Sequence, residues 1–366
     1  MKSFQAFFIG LLLPMLSFPV GALPAEDEDD PVRNGIRLSA LRAHPVRSVQ
    51  FWRPADKSQA PETRIGPAPP ELIDFLRLDN TFQGYSERPV PASADSAFIR
   101  DVETAVSSLH ESVRVITGRM VFCIALIREL GGGTGYMDVV ADLDGSAAGG
   151  FIVLDEVALD RSANAWASWK EGSAFQSSAE DILDVRIENP ENDTRANAIR
   201  HILLHELGHV IDAVLGVTPI DGGNTQNIRS RGFYGLSWAY PPPSQPLLLP
   251  GDTLRSRYDD KWEDRETLAF YTFENSKHTL SDAASIYAWL RQTNFPTLYA
   301  ATSSADDFAE SFANYVHVVL DQRPFEIRLK QQQSSANLLE SCWDSPRCAT
   351  KKMAVEHLLA RAAQLR

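Results

Sequence analysis

The segment from Thr194 to Gly216 constrains the fold of this chain more than any other part of its sequence. Asp193 or Thr194 can cap the start of a helix, and Gly216 stands where a glycine commonly ends one. Between these positions, apolar residues recur at helical spacing and form a single stripe. The members of this stripe are Ile199, Ile202, Leu203, Leu207, Val210 and Val214. The sequence therefore predicts a capped amphipathic helix in this segment.

The predicted helix carries the motif His205-Glu206-Leu207-Gly208-His209. Residues four apart share one face of a helix, so His205 and His209 can offer two imidazole nitrogens to one metal ion. A catalytic zinc ion keeps three protein ligands and a water molecule, whose pKa it lowers to about 7. Glu206 can take the proton of that water and pass it to a leaving amine. The alternative interpretation is two surface histidines with an incidental glutamate.

The motif resembles that of the zincin metallopeptidases. Metzincins would continue with glycine at position 212 and His or Asp at 215, whereas this chain has Asp212 and Leu215. Gluzincins take their third ligand from a glutamate on a later helix. Residues 306–313, Asp-Asp-Phe-Ala-Glu-Ser-Phe-Ala, are similar to the ligand helix of the anthrax lethal-factor type of gluzincin. The resemblance covers about 30 residues in two pieces, of which the first is the more specific.

The resemblance implies that Glu310 is the third ligand of one zinc ion, which His205 and His209 also bind. The flanking residues of Glu310 are apolar, and a carboxylate in such surroundings is costly unless it meets a cation or a donor. The alternatives are Glu263 and Glu266, whose charged neighbours are more typical of a solvated face. Many gluzincins have aspartate four residues after the ligand glutamate, where this chain has Asn314; an amide can still bond an imidazole but adds no charge.

The resemblance further implies an α+β fold, with a zincin-like catalytic domain over residues 93–366. We expect a small mixed sheet and the active-site helix, followed by a mostly helical half. Strands are predicted at 120–127 and 149–155, and Phe151–Leu154 is either the edge strand that pairs with substrate or an ordinary buried strand. Helices are predicted from Ser93 or Asp95 to Gly118, at 262–274, at 281–292, from Ser303 or Ser304, and at 350–364.

The N-terminus has the order of a secretory signal peptide. Lys2 precedes an apolar run from Phe4 to Val20, and small residues follow it. The run is short for a membrane anchor and contains two prolines, so we expect cleavage after residue 22 and no membrane span afterwards. Residues 23–92 are predicted to be an acidic leader and a Pro-rich wrapping segment. We therefore expect an exported protein, either periplasmic or extracellular.

Cysteine spacing and net charge add two further expectations. Cys342 and Cys348 flank a short polar loop that a disulfide can close in an oxidising compartment, whereas Cys123 is expected to be a buried, inert thiol. The formal net charge is −13, and loss of Lys2 with the signal peptide makes it −14 (−13 − 1). Such an acidic chain repels nucleic acid and anionic membranes.

Together these features predict a secreted or periplasmic zinc-dependent metallopeptidase acting on a peptide or protein substrate. One alternative is a catalytically inactive binding protein with the same fold, although a purely structural zinc site would not need the free carboxylate of Glu206. Another is a toxin-like effector peptidase with a single protein target. His201 and Asp212 are candidates for supporting roles near the metal. The candidate donors to an oxyanion are Tyr299, Tyr315, His278 and His317.

Overall fold

A mixed five-stranded sheet organises the computed structural model, which describes residues 31–53, 57–93, 96–178, 181–218, 232–239, 255–331 and 334–364. The strands are β1 (Ile65–Pro67), β2 (Val90–Pro91), β3 (Val121–Arg128), β4 (Gly135–Ala141) and β5 (Ala147–Asp155). Their order is β1-β3-β5-β4, with β2 paired to the end of β3. β3 runs parallel to β1 and β5, whereas β4 is antiparallel to β5.

Helices and two smaller sheets surround this sheet. The α-helices in the described ranges are α1 (Pro31–Arg42), α2 (Pro70–Gln83), α3 (Ala97–Ser107), α4 (Glu111–Met120), α5 (Ala163–Gly172), α6 (Arg195–Leu215), α7 (Ala283–Leu290), α8 (Ser304–Tyr315) and α9 (Ala349–Gln364). An antiparallel sheet contains β6 (Asp181–Arg186), β9 (Glu326–Gln331) and β10 (Ser334–Glu340), and a short ladder joins β7 (Trp238–Ala239) to β8 (Arg255–Ser256). The predicted α+β class is confirmed.

Both faces of the central sheet are buried, and alternate residues of its strands pack into different apolar clusters. Ile124 and Ile152 belong to the cluster that includes α3, α4 and α6, whereas Phe151 and Val153 face a second cluster. That second cluster contains Phe75 and other apolar residues of α1 and α2. The segment before residue 93 therefore covers one face of the sheet and supplies β1 and β2, which is more structure than a wrapping segment implied.

The two helices that the site depends on begin where the sequence predicted, and α6 also ends at the predicted glycine. The hydroxyl of Thr194 accepts a hydrogen bond from the backbone N–H of Asn197, and Gly216 ends α6 in the left-handed conformation at φ 60°. The hydroxyl of Ser303 likewise accepts from the N–H of Asp306 at the start of α8. The two hydroxyl groups thus accept from backbone N–H groups in the first turn of each helix, which have no acceptor within the helix.

Several other predicted elements differ from the structure. The helix expected at 262–274 is replaced by 3-10 turns at Glu263–Thr267 and Phe273–Asn275. Arg265 is buried in the first turn and donates to the carbonyl of Ala301 at 2.7 Å, a long-range contact that local pattern does not reveal. The helix expected from 93 to 118 is interrupted at 108–110 and forms α3 and α4. The half after α6 also contains the β9–β10 hairpin, so it is less helical than expected.

β4 lies at one edge of the central sheet, and Phe151–Leu154 is an ordinary buried strand, which is the second of the two alternatives that the sequence left open. That segment lies within β5, between β3 and β4, where both sides of the strand are paired. The sequence predicts only a turn before β4, because the triplet Gly131-Gly132-Gly133 has no strand pattern, and β4 itself was not predicted. The Pro-rich stretch from 216 to 260, which the sequence predicts to be irregular, lies largely outside the described residues, and the predicted signal peptide and residues 23–30 lie wholly outside them.

Cys342 and Cys348 form the predicted disulfide bond, with their Cα atoms 5.6 Å apart. Within this loop, the indole N–H of Trp343 donates to the side-chain oxygen of Asn314 on α8 at 2.8 Å. Cys123 is unpaired and only partly buried, and its burial raises the pKa of the thiol to about 12. Of the helices that the structure describes, none combines the length and apolar character needed to span a bilayer.

The helices α6 and α8 approach most closely where Gly208 meets Ala309. A methyl group added at Gly208 would lie 2.8 Å from the Cα atom of Ala309, which is too close for van der Waals contact. The absence of a side chain at Gly208 therefore sets how near the two helices can lie.

We expect Gly208→Ala to lower the free energy of unfolding by about 1–3 kcal/mol, because α8 must move away from α6. Gly172→Ala is the matched control, since Gly172 is also helical and a methyl group there would meet nothing within 4 Å. Urea denaturation of both variants measures the difference. Equal stabilities for the two variants would contradict the proposed close contact.

Candidate metal centre

Three side-chain donor atoms converge where α6 crosses α8. The Nε2 atoms of His205 and His209 lie 3.1 Å apart, and Oδ1 of Asp306 lies 3.8 Å and 3.6 Å from them, respectively. Ligands about 2.0–2.1 Å from a tetrahedral zinc ion are roughly 3.3 Å from one another. The spacing and chemistry of these donors therefore fit a zinc ion. In the described ranges no other group of three His, Cys, Asp or Glu residues brings its donor atoms within 4.8 Å of one another.

Glu310 is held behind His205 and away from the two Nε2 atoms. Its Oε1 atom lies 3.0 Å from Nδ1 of His205, on the other side of the imidazole ring. Lys170 Nζ lies 2.8 Å from the same oxygen, and the hydroxyl of Thr297 donates to Oε2 at 2.7 Å. The carboxylate that faces the Nε2 atoms belongs instead to Asp306, one helical turn earlier on α8. This placement differs from the ligand set that the resemblance implied.

The remaining candidates for ligation or support lie elsewhere. Glu263 and Glu266 are exposed and lie outside the group of donors. Asn314 bonds Trp343 rather than an imidazole. His201 is buried beside the site, and burial lowers its pKa to about 3, so its imidazole is neutral. Asp212 accepts hydrogen bonds from the backbone and hydroxyl of Thr218, and so secures the chain after α6.

The charges of the site stabilise two carboxylates of α8, those of Asp306 and Glu310, in their ionised form. Burial alone would raise the pKa of Asp306, but its contact with His209 and the charges of His209 and His205 lower it overall. Burial opposes ionisation of Glu310 too, yet the charge of Lys170 and the contact with His205 hold its pKa well below the usual range. Both side chains are thus carboxylate anions: Asp306 faces the two Nε2 atoms, and Glu310 faces Nδ1 of His205.

Glu206 is the third carboxylate of the site and is not one of the converging donors. It is 8% exposed, and burial raises its pKa. A methyl group added at Gly135, the first residue of β4, would lie 3.0 Å from Oε1 of Glu206. Glycine at this position therefore leaves room for the carboxylate beside the start of the edge strand.

One cavity contains Glu206 and the three converging donors. Its walls come from α2, the loop at 130–134, β4, α5 and α6, together with Tyr271 and Tyr299. The ring of Tyr299 stacks on that of His205, with 5.4 Å between centroids and 19° between planes. Of the predicted oxyanion donors only Tyr299 lines this cavity; Tyr315, His278 and His317 bond elsewhere.

Tyr271 is a cavity residue that the sequence analysis missed. Its backbone lies in the left-handed region at φ 60°, which is uncommon for an aromatic residue, and its N–H donates to the hydroxyl of Ser173 at 2.7 Å. Strained backbone of this kind occurs at functional sites when the surroundings enforce it. Helical periodicity cannot reveal such a position, because Tyr271 lies between short 3-10 turns.

Comparison with known proteins adds no assignment: no family model, curated protein or solved structure matches this chain. The function must therefore be argued from the geometry of the site.

The ion pair of Lys170 with Glu310 can be tested against an exposed pair of almost the same length. Lys170→Met should lower the free energy of unfolding by about 3–5 kcal/mol, because it leaves the Glu310 carboxylate buried without its cation. Lys330 lies 2.9 Å from Asp184 with 54% of its side chain exposed, so Lys330→Met should cost less than about 1 kcal/mol. Denaturant unfolding compares the two. A small loss for Lys170→Met would show that Glu310 does not depend on this cation.

Proposed function

We propose that this chain is a zinc-dependent metallopeptidase in which His205, His209 and Asp306 bind one zinc ion and Glu206 acts as general base and acid. The observation that carries the proposal is the convergence of three donors, at zinc-ligand spacing, beside a buried carboxylate that is not among them. Structural zinc sites are usually closed by a fourth protein ligand. Here the three donors and Glu206 line one cavity, so water and substrate have space at the site.

The helix pair supports a zincin-like catalytic domain as part of this proposal. α6 supplies the two histidines and Glu206, while α8 supplies the aspartate. The disulfide bond between Cys342 and Cys348 is compatible with an oxidising compartment, so we include export to the periplasm or the cell exterior in the proposal.

A zinc ion at this site would act as a Lewis acid that lowers the pKa of a bound water and polarises a carbonyl group. Glu206 takes the water proton as the oxygen attacks the carbonyl carbon and then delivers it to the leaving amine. With zinc bound, Glu206 would be favoured in its charged form, which would counteract the effect of burial on its pKa. Burial raises the pKa of Tyr271 to about 12, so this phenol remains neutral and can donate a hydrogen bond within the cavity.

Glu310 acts as a positioning residue for His205. Its carboxylate lies 3.0 Å from Nδ1, and this contact orients the ring so that Nε2 is directed at the metal position. Lys170 and Thr297 hold that carboxylate in place from two further directions. Asp306 is thus the proposed metal ligand, and Glu310 orients the imidazole ring of His205.

A peptide substrate is favoured by the edge strand next to the site. Residues 135–140 of β4 pair with β5 on one side, and within the described ranges no strand pairs with them on the other. An extended peptide can add to such an edge through backbone hydrogen bonds. Because Glu206 lies beside Gly135, a bound strand would pass close to the general base.

Glu206→Gln should retain zinc but lose hydrolysis by several orders of magnitude, because the group that accepts and returns the proton is removed. His205→Ala should instead lose the metal, which metal analysis of the purified variants detects. A chelator should abolish the wild-type activity on a mixed peptide library, and added zinc should restore it. Near-normal turnover by Glu206→Gln would contradict the mechanism.

Asp306 and Glu310 can be distinguished by replacing zinc with cobalt, whose visible absorption reports the number and geometry of its ligands. Asp306→Ala should change the cobalt spectrum and sharply weaken metal binding, because it removes a ligand. Glu310→Gln should keep the spectrum and lower affinity by about 10–100-fold, the usual effect of a residue behind a ligating histidine. Glu263→Ala is the control and should change neither quantity. An altered spectrum in Glu310→Gln but not in Asp306→Ala would restore Glu310 as the ligand.

A further inference from the structure

Asp79 of α2 and Tyr136 of β4 line the same cavity as Glu206 and belong to no part of the mechanism above. Asp79 is 4% exposed and Tyr136 is 8% exposed. The Oδ1 atom of Asp79 and the hydroxyl of Tyr136 each lack a hydrogen-bond partner among the described residues. A buried polar atom without a partner is costly, and in native proteins it calls for an explanation.

Asp79, Tyr136 and the general base Glu206 line one cavity. Burial raises the pKa of Tyr136 well above its ordinary value, and the charges of Asp79, Asp138 and Glu206 raise it further. A group bound at Asp79 would therefore occupy the cavity that also contains the general base.

The cation Arg47 forms an ion pair with another acid. Arg47 lies 3.1 Å from Asp138, and only a weaker contribution of its charge reaches Asp79. Burial and the charge of Asp138 raise the pKa of Asp79 to about 7. The Gln83 side chain partly offsets this rise in the pKa of Asp79. A positive ligand at Oδ1 would supply a donor to that oxygen and an opposite charge to the carboxylate.

Asn80, the neighbour of Asp79 on α2, holds this wall of the cavity in place through hydrogen bonds. The amide of Asn80 donates to the backbone carbonyls of Leu130 at 2.9 Å and Glu87 at 3.1 Å. These bonds fix the end of α2 against the loop that carries the glycine triplet, which also lines the cavity. Asn80 thus has its partners within the protein, whereas Asp79 keeps an oxygen for a ligand.

We propose that Asp79, with the hydroxyl of Tyr136, binds a cationic group of the peptide substrate within the cavity that contains Glu206. The group is an ammonium or guanidinium, supplied either by a Lys or Arg side chain or by a free amino terminus. The proposal rests on the peptidase function and narrows its substrate class. The net charge of −13 adds long-range attraction for such peptides.

The test uses matched peptides that differ in charge but hardly in shape. A lysine is moved through an N-acetylated decapeptide and compared at each position with norleucine, and arginine is compared with citrulline. The same neutral peptides with a free amino terminus form the second arm. At one position, or at the free terminus alone, the charged peptide should have at least about a tenfold higher kcat/KM, the usual effect of a hydrogen bond to a charged group.

Asp79→Asn should reduce that charge preference to near one, since it retains the shape of the side chain and removes its charge. Asp74→Asn is the matched control, because Asp74 is an exposed acid on the same helix, and it should keep the full preference. Zinc content and thermal unfolding of both variants verify that the fold and metal site persist. A preference that survives Asp79→Asn, or wild-type hydrolysis with no charge preference at any position, would overturn the proposal.

Binding measurements separate this proposal from the peptidase function on which it rests. Calorimetry with zinc-loaded Glu206→Gln should show the charged peptide binding at least about tenfold more tightly than its neutral partner, and the added change Asp79→Asn should remove the difference. If the wild type hydrolyses no peptide but this binding preference is present, the peptidase function fails and the cation site stands. If the wild type hydrolyses peptides but no binding preference is found, the cation site fails and the peptidase function stands. If neither hydrolysis nor the preference is found, both proposals are overturned.

Discussion

The contact between Gly208 and Ala309 sets the distance between α6 and α8, and the candidate site depends on that distance. With a larger residue at position 208 the helices would separate, and Asp306 would recede from the two imidazoles. Gly208, in the middle of the motif, therefore allows α8 to pack close to α6. The caps at Thr194 and Ser303 set the start of each helix and so contribute to the alignment of the two faces.

Buried charge is the second constraint on this region. Glu310 and Lys170 are both almost fully buried, and each would be costly without the other. The pair spans from α8 to α5, so α5 is tied to the two helices that carry the converging donors. Such a pair adds little net stability relative to an apolar one, but it fixes where the Glu310 carboxylate lies. That fixed position is what allows one oxygen to meet Nδ1 of His205.

Local sequence patterns were sufficient to predict the features that are themselves local. The limits of α6, its two histidines on one face, the cap of α8 and the disulfide all follow from spacing along the chain. The choice between Asp306 and Glu310 does not, because both lie on one face of α8 and the answer depends on where that helix crosses α6. Similarly, the edge position of β4 depends on strand pairing, and Tyr271 depends on long-range contacts that hold its unusual backbone.

The N-terminal segment covers one face of the central sheet and also forms a wall of the cavity through α2. A shortened chain that began near residue 93 would expose the apolar face around Phe151 and Val153, which favours aggregation. It would also leave the cavity open on the side of Asp79. Conversely, changes on the cavity side of α2 can reshape the space next to Glu206 without altering α6 or α8. The Asp79 carboxylate and the three converging donors therefore lie on separate helices, so the surroundings of one can change without a change in the helices that carry the other.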